Sequence, residues 1–250
     1  MIQINNISKS FSGHKVLNDI SFTFEKGKTN IIIGQSGSGK TALIRCMVGL
    51  NEIDSGEVLY DERSFHQLDF EGKKGVRKEI GMLFQGGALF DSKTVEENVI
   101  FPLSMFTDLS ESEKRERANF CLQRVNIVNA NKLYPSELSG GMKKRVAIAR
   151  AIAVQPKYLF CDEPNSGLDP RTSIVIDNLI QEITEEYNIT TIVITHDMNS
   201  VIEMGDNILF IYNGTKWWEG NKQEILKTTN QEVQEFVYAT TFMKELKTRF

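Results

Sequence analysis

Histidine and cysteine are scarce in this chain, three of each in 250 residues. Cys46, Cys121 and Cys161 lie far apart, form no CxxC pair and leave an odd number, which excludes a disulfide framework. They read as buried small hydrophobes of a reducing compartment. With only His14, His66 and His196, no HExxH or Cys/His cluster has the spacing of a dedicated zinc site. Any metal is therefore expected on oxygen ligands shared with a substrate. No apolar run approaches the roughly 20 residues that cross a bilayer. Met1-Ile2-Gln3-Ile4 also lacks a secretory apolar region, so the chain is expected not to enter a membrane by itself. Positive charge is in deficit: 29 Lys and Arg against 33 Asp and Glu give −4. That balance argues against nucleic acid or an anionic lipid surface as a general partner. Repeats and low-complexity segments are absent too. The 40% hydrophobic and 25% charged content lies near the globular norm, which excludes wholesale disorder.

Several periodicities are present. Ile2, Ile4 and Ile7, then Ile20, Phe22 and Phe24, alternate with polar residues and predict antiparallel strands before the Glu25-Lys26-Gly27 turn. Ile31-Ile32-Ile33 is a continuous apolar strand leading into a Gly-rich loop, and a helix from Thr41 stops at Gly49. Further strands are expected at Glu57–Tyr60 and Ile80–Phe84. From about residue 92 the period becomes helical. Ser110 and Glu113 have capping-box spacing, with Ala118, Cys121, Leu122 and Val125 on one face. A second helix from Ser139 carries Met142, Val146, Ala149 and Ala153 on a stripe and ends before Pro156. Buried strands return at Tyr158–Cys161 and Ile192–Ile194, around a helix at 172–186, as in a parallel sheet covered on both faces. Ile208–Tyr212, Asn213-Gly214 and Thr215–Trp218 predict a hairpin with a type I′ turn.

Gly34-Gln35-Ser36-Gly37-Ser38-Gly39-Lys40-Thr41 fits G-x-x-x-x-G-K-[ST] between a strand and a helix. Glycines there let backbone N–H groups turn inward around phosphate oxygens, and the helix N-terminus adds its dipole. Lys40 reaches the β- and γ-phosphates in such a loop, and the Thr41 hydroxyl ligates Mg²⁺. Chance would give the pattern in roughly one chain of this length in a hundred, before the strand–loop–helix context is counted. Asp162 and Glu163 end a buried strand, where α/β sheets place ligands. Asp162 is the candidate for Mg²⁺ and Glu163 for the base that polarises water. His196 ends another buried strand and is a candidate contact for the γ-phosphate.

Leu138-Ser139-Gly140-Gly141, taken with the Gly34–Thr41 loop, Gln85, Asp162-Glu163, Ser166-Gly167-Leu168-Asp169 and His196, resembles the nucleotide-binding subunit of ABC transporters over residues 1–222. The resemblance implies a P-loop NTPase (RecA-like) α/β core of mainly parallel sheet, at 1–91 and 156–222, with an N-terminal antiparallel β subdomain. It implies an inserted α-helical subdomain at 92–155 and a C-terminal helical extension at 223–250. ATP and Mg²⁺ are the implied cofactors, with Thr41, Gln85 and Asp162 at the metal. Gly34 to Thr41, Ala42 and Asp162 hold the nucleotide. Phe11 matches the aromatic that stacks on adenine, with Phe in place of the more common Tyr. Glu163, His196 and Gln85 match the catalytic positions. Ser139, Gly140 and Gly141 match the turn that meets ATP on the other subunit, and Asp169 matches a carboxylate at the dimer interface. A head-to-tail homodimer on the cytoplasmic face of an integral-membrane permease follows.

Within that family, Gly81–Asp91, Asn98-Val99, Pro102-Leu103 and Met142-Lys143-Lys144-Arg145 resemble the Mla-type phospholipid transporter ATPases. That likeness implies phospholipid cargo, an MlaE-like permease, an MlaD-like MCE-domain protein and a STAS-domain (MlaB-like) regulator. Ala88, Leu89 and Phe90 are expected to be exposed for permease docking. Val233, Phe236, Val237, Thr240, Met243 and Leu246 form an apolar helical stripe. Import of a polar solute such as an amino acid, and a soluble non-transport ABC ATPase, are the alternatives.

Overall fold

Alternating apolar residues build the first sheet. In the computed structural model, which describes residues 1–239, β1 (Ile2–Phe11) pairs antiparallel with β2 (His14–Phe24), setting Ile2 opposite Phe24, Ile4 opposite Phe22 and Ile7 opposite Ile20. β4 (Ser55–Tyr60) and β5 (Arg63–Ser64) extend it to the order β2-β1-β4-β5.

The second sheet contains β3 (Thr29–Ile33), β6 (Ile80–Leu83), β7 (Tyr158–Asp162), β8 (Thr190–Ile194), β9 (Asn207–Tyr212) and β10 (Thr215–Gly220), in the order β10-β9-β3-β8-β7-β6. All its pairings are parallel except β9 with β10. Continuous apolar strands suit it because both faces are covered. Ile31, Ile33, Cys161, Val193 and Phe210 face one core, shared with the larger helices. Ile32, Phe160, Ile192, Ile194 and Leu209 face the other, shared with the first sheet. Burying one such aliphatic side chain contributes about 1.5–3 kcal/mol. Parallel strands bring their carboxyl ends to one edge, which is what gathers the loops after β3, β7 and β8.

The helices are α1 (Lys40–Met47), α2 (Phe70–Lys78), α3 (Val95–Phe106), α4 (Glu111–Arg124), α5 (Gly140–Ile152), α6 (Pro170–Glu186), α7 (Met198–Met204) and α8 (Gln231–Val237). α3, α4 and α5 pack on one another. Ser110 and Glu113 form the expected capping box of α4, and Thr94 with Glu97 forms a second at α3. α2 and α7 have no counterpart in the periodicity, since both are short and carry few buried apolar residues. Asn213 (φ 47°) and Gly214 (φ 75°) adopt the two left-handed conformations that a type I′ hairpin requires.

Ala88 and Phe90 are exposed as expected, while Leu89 is half-buried and packs into the core. Asn98 is fully buried: its Oδ1 accepts from the Phe90 N–H, and its Nδ2 donates to the carbonyls of Phe90, Lys93 and Thr94. It is a polar staple that shapes the 90–94 loop. Val233 and Val237 are buried and Phe236 half-buried on α8, and the remainder of that stripe, Thr240, Met243 and Leu246, lies outside the described residues. No helix among the described residues is long and apolar enough to cross a membrane.

Candidate active site

Among the described α-helices, α1 alone lacks a capping side chain. Asp69, Thr94, Ser110, Ser139, Asp169, Asp197 and Asn230 cap the other seven. Position Ncap of α1 is instead Gly39 (φ 107°), with no side-chain acceptor and no acidic residue in the first turn. A helix start with unmet N–H groups and no acid in its own first turn is a site for an external anion. The preceding loop is shaped for close approach. A Cβ on Gly34 would stand 2.2 Å from the Ile211 carbonyl, and one on Gly39 would stand 2.8 Å from Leu17 Cδ2. The Ser38 hydroxyl is buried without a partner among the described residues.

Lys40 Nζ donates to the carbonyls of Gly34, at 2.8 Å, and Gln35, at 2.9 Å, closing the loop on itself. Burial lowers its pKa, and the carboxylates of Glu163 and Asp162 push the other way. Thr41 is exposed and Ala42 half-buried at the helix start. Asp162, 9% exposed at the end of β7, has its pKa raised by burial and by the neighbouring Glu163 charge, against Arg45, Lys40 and Lys144. An ammonium held only by loop carbonyls, an exposed hydroxyl, an uncapped helix and an acid beside them fit a triphosphate carrying a divalent cation.

Glu163 is held at every group. Its φ is +50°, a left-handed conformation that a non-glycine residue keeps only when its surroundings impose it. Its N–H donates to the Ile194 carbonyl. Its carbonyl accepts from the Ser166 N–H and from Lys144 Nζ, both at 3.2 Å. Its Oε2 lies 2.8 Å from Nδ1 of His196, whose side chain is 70% exposed. The fold thus joins Glu163 and His196, two positions that the sequence supplies only as separate strand ends.

The other expected residues occupy different places. Phe11 is exposed at 41%, with its ring under Lys9 Nζ. Gln85 is exposed two residues past β6, whose Leu83 pairs with Cys161. Ser139 caps α5 through its Oγ, and the Cβ positions of Gly140 and Gly141 face Leu168, in the loop before α6, and Thr172, in its first turn. Asp169 caps α6, accepting from Arg171 N, Thr172 N and Thr172 Oγ1. Those bonds, led by the Thr172 hydroxyl, hold its carboxyl below the usual range.

Three further features were given no place in the site by the sequence. Asn165 donates to Asp177 Oδ1 at 2.7 Å and to Ser200 Oγ at 3.0 Å, and Ser200 Oγ donates to Asp177 Oδ2 at 2.7 Å. This buried network ties the loop after Glu163 to α6 and α7. Asp177 stands beside Ile176 on the buried stripe of α6, and a carboxylate in that position was the available signal. Arg150 on α5 donates to the carbonyls of Ala88 and Gly87, both at 2.8 Å. Lys144, which the sequence offers only as a subgroup marker, is the third.

Asp177 carries a pH prediction. Burial raises its pKa from 3.8 to about 6, and the bonds from Ser200 and Asn165 oppose that shift. A carboxyl with a folded pKa above its unfolded value holds its proton more tightly in the native state. Its stabilising contribution is therefore present below about pH 3.8 and lost as pH rises through about 6. The gap of about two units corresponds to roughly 3 kcal/mol. Asp177→Asn removes the titration, so the melting temperature of the variant relative to the native chain should rise from about pH 4.5 to about pH 7.5. Parallel melting profiles for the two proteins would refute it.

The family model described as ABC transporter matches residues 17–166. The methionine import ATP-binding protein MetN of Campylobacter jejuni is 37% identical over 261 residues, covering 98% of this chain and 78% of that protein. The protein of the same name from Clostridioides difficile is 38% identical over 237 residues, covering 95% and 74%. A solved dimeric ATP-binding cassette in a post-hydrolysis state, bound to ADP and Pi, superposes with TM-score 0.81 and 32% identity over 89% of this chain and 99% of that one. The cbiO1 protein of Clostridium perfringens, part of the ABC transporter complex cbiONQ, gives TM-score 0.85 and 30% identity over 100% and 98%. Both sequence relatives are named for methionine import and not for lipid transport. They lend no support to the Mla-type reading of the cargo, nor to its MCE-domain and STAS-domain partners.

Proposed function

The chain belongs to the ABC transporter family, and we propose that it is the ATP-hydrolysing subunit of a membrane importer for a polar solute of the amino-acid class. ATP and Mg²⁺ are its cofactors. The observation that carries the mechanism is the uncapped N-terminus of α1 with Lys40 beside it, next to the acid pair that ends β7.

When bound, Mg·ATP supplies the phosphoanhydride that is cleaved and a divalent charge on its phosphate oxygens. Lys40 would turn from the Gly34 and Gln35 carbonyls to the phosphates, and free backbone N–H groups of the loop and of the α1 start would meet the same oxygens. The Thr41 hydroxyl, Asp162 and Gln85 would hold the metal side. Phe11 offers an exposed ring face to the base. Glu163 takes a proton from the attacking water, and His196, now on Glu163, turns to the terminal phosphate. Ser139, Gly140 and Gly141 of a second copy complete the phosphate cradle, so two chains in head-to-tail contact form two sites. Closure of that homodimer moves a separate permease on whose cytoplasmic face the chain sits. Ala88 and Phe90, exposed beside the Arg150-braced loop, suit the contact with it.

The relatives' printed names favour an amino acid as cargo. One observation favours a second reading, phospholipid: the resemblance of Gly81–Asp91 to the Mla-type ATPases. The deciding experiment purifies the tagged chain from detergent-solubilised native membranes and identifies proteins and lipids by mass spectrometry. A permease with an extracytoplasmic solute receptor and no enriched lipid supports the importer. A permease with an MCE-domain protein and enriched phospholipid overturns it in favour of lipid transport.

A further inference from the structure

Lys144 lies in the second turn of α5 and is 4% exposed. It follows Gly140 by four residues and Gly141 by three, so it shares their helix face about one turn along. A buried ammonium is costly and normally ends on a carboxylate. This one ends on the backbone carbonyl of Glu163, 3.2 Å away, with the side chains of Asp162 and Glu163 in its electrostatic neighbourhood. Burial lowers its pKa, opposed by Cys161, Glu163 and Asp162. The carbonyl it grips belongs to the one residue of the site with a left-handed backbone outside the glycines, and the same oxygen receives the Ser166 N–H. Lys40, the other buried cation beside the acid pair, also ends on carbonyls, but those of its own loop, from which phosphate can take it. Lys144 sits on a different element and stays where it is.

We propose that Lys144 is a positioning residue, which from α5 fixes the Glu163 peptide and so the direction of the base carboxylate. The helix whose first turn faces the second subunit's nucleotide thereby also grips the base of its own subunit. This inference rests on the assignment of Glu163 as base.

The test is steady-state ATP hydrolysis and nucleotide binding by the purified full chain with Mg·ATP. Lys144→Met removes the donor and keeps the stem. Turnover should fall at least about tenfold, the cost of a small misplacement of a reacting group, with KM for ATP within about twofold. Lys144→Arg keeps a donor and a charge and should recover at least about a third of the native rate. Because Glu163 is the route of the effect, Lys144→Met should add almost nothing to the loss already caused by Glu163→Gln in single-turnover assays. The proposal is overturned by native turnover in Lys144→Met, or by additive losses in the double variant. It is overturned equally by a rate loss matched by an equal loss of ATP binding. Should Lys144→Met not fold, Lys144→Gln takes its place. Its shorter amide should fall between Arg and complete loss, and native turnover there overturns the proposal. If Glu163→Gln alone keeps turnover, the base assignment fails and this inference fails with it. If Glu163→Gln is dead and Lys144→Met is active, only the inference fails.

Discussion

Glu163→Gln should bind ATP with near-native affinity and hydrolyse it at least about 10²-fold more slowly, the usual worth of a positioned general base. The substitution is nearly isosteric. The amide oxygen of the new side chain would still accept the His196 contact, and the backbone bonds to Ile194, Ser166 and Lys144 involve no side-chain atom of this position. The groups proposed for the phosphates and metal, Lys40, Thr41 and Asp162, stay in place. What disappears is the capacity to take a proton. Bound ATP should then persist, and the closed pair of chains should accumulate. Size-exclusion chromatography with and without Mg·ATP should show a dimer peak in the variant at concentrations where the native chain returns to monomer. Turnover within a few-fold of native would remove Glu163 from the base role.

Lys40→Ala should reduce affinity for ATP by about 10- to 100-fold, since hydrogen bonds to charged groups are worth roughly 1.5–3 kcal/mol each. Its effect on the free protein is expected to be small because two terms oppose. The substitution strips a donor from the Gly34 and Gln35 carbonyls, which destabilises the loop. It also removes a desolvated cation, which relieves the fold. Calorimetric titration with ATP and thermal unfolding without it separate these effects. Equal affinity for native and variant chains would place the phosphates elsewhere, and a large drop in melting temperature would make Lys40 structural first.

Much of this arrangement was legible in the residues. Gly34 to Thr41 announces its own conformation, because its glycines are required by positive φ at 34, 37 and 39, and a missing cap at Gly39 is a local property. The apolar runs at β3, β7 and β8 placed Asp162, Glu163 and His196 at strand ends. The Ser110 cap was readable for the same local reason, whereas the capping roles of Ser139 and Asp169 emerged only with the fold. Leu89 shows the limit within a single loop: between Ala88 and Phe90 it turns inward to the core, and composition alone does not separate the three.

What the sequence by itself determined, then, were features whose cause lies within a few residues: the phosphate loop, the Ser110 cap, the strand ends and the hairpin turn. Tertiary structure decided which of those features meet. Strand order β3-β8-β7 puts Glu163 against His196, although a helix and a strand separate them in sequence. Packing of α6 and α7 under the same edge joins Asn165 to Asp177 and Ser200, and packing of α5 carries Lys144 to Glu163. A local period fixes the face a residue occupies, but not the element that face will touch. That choice is made by burial of whole faces at once, and so the polar partners of the site are set by the core.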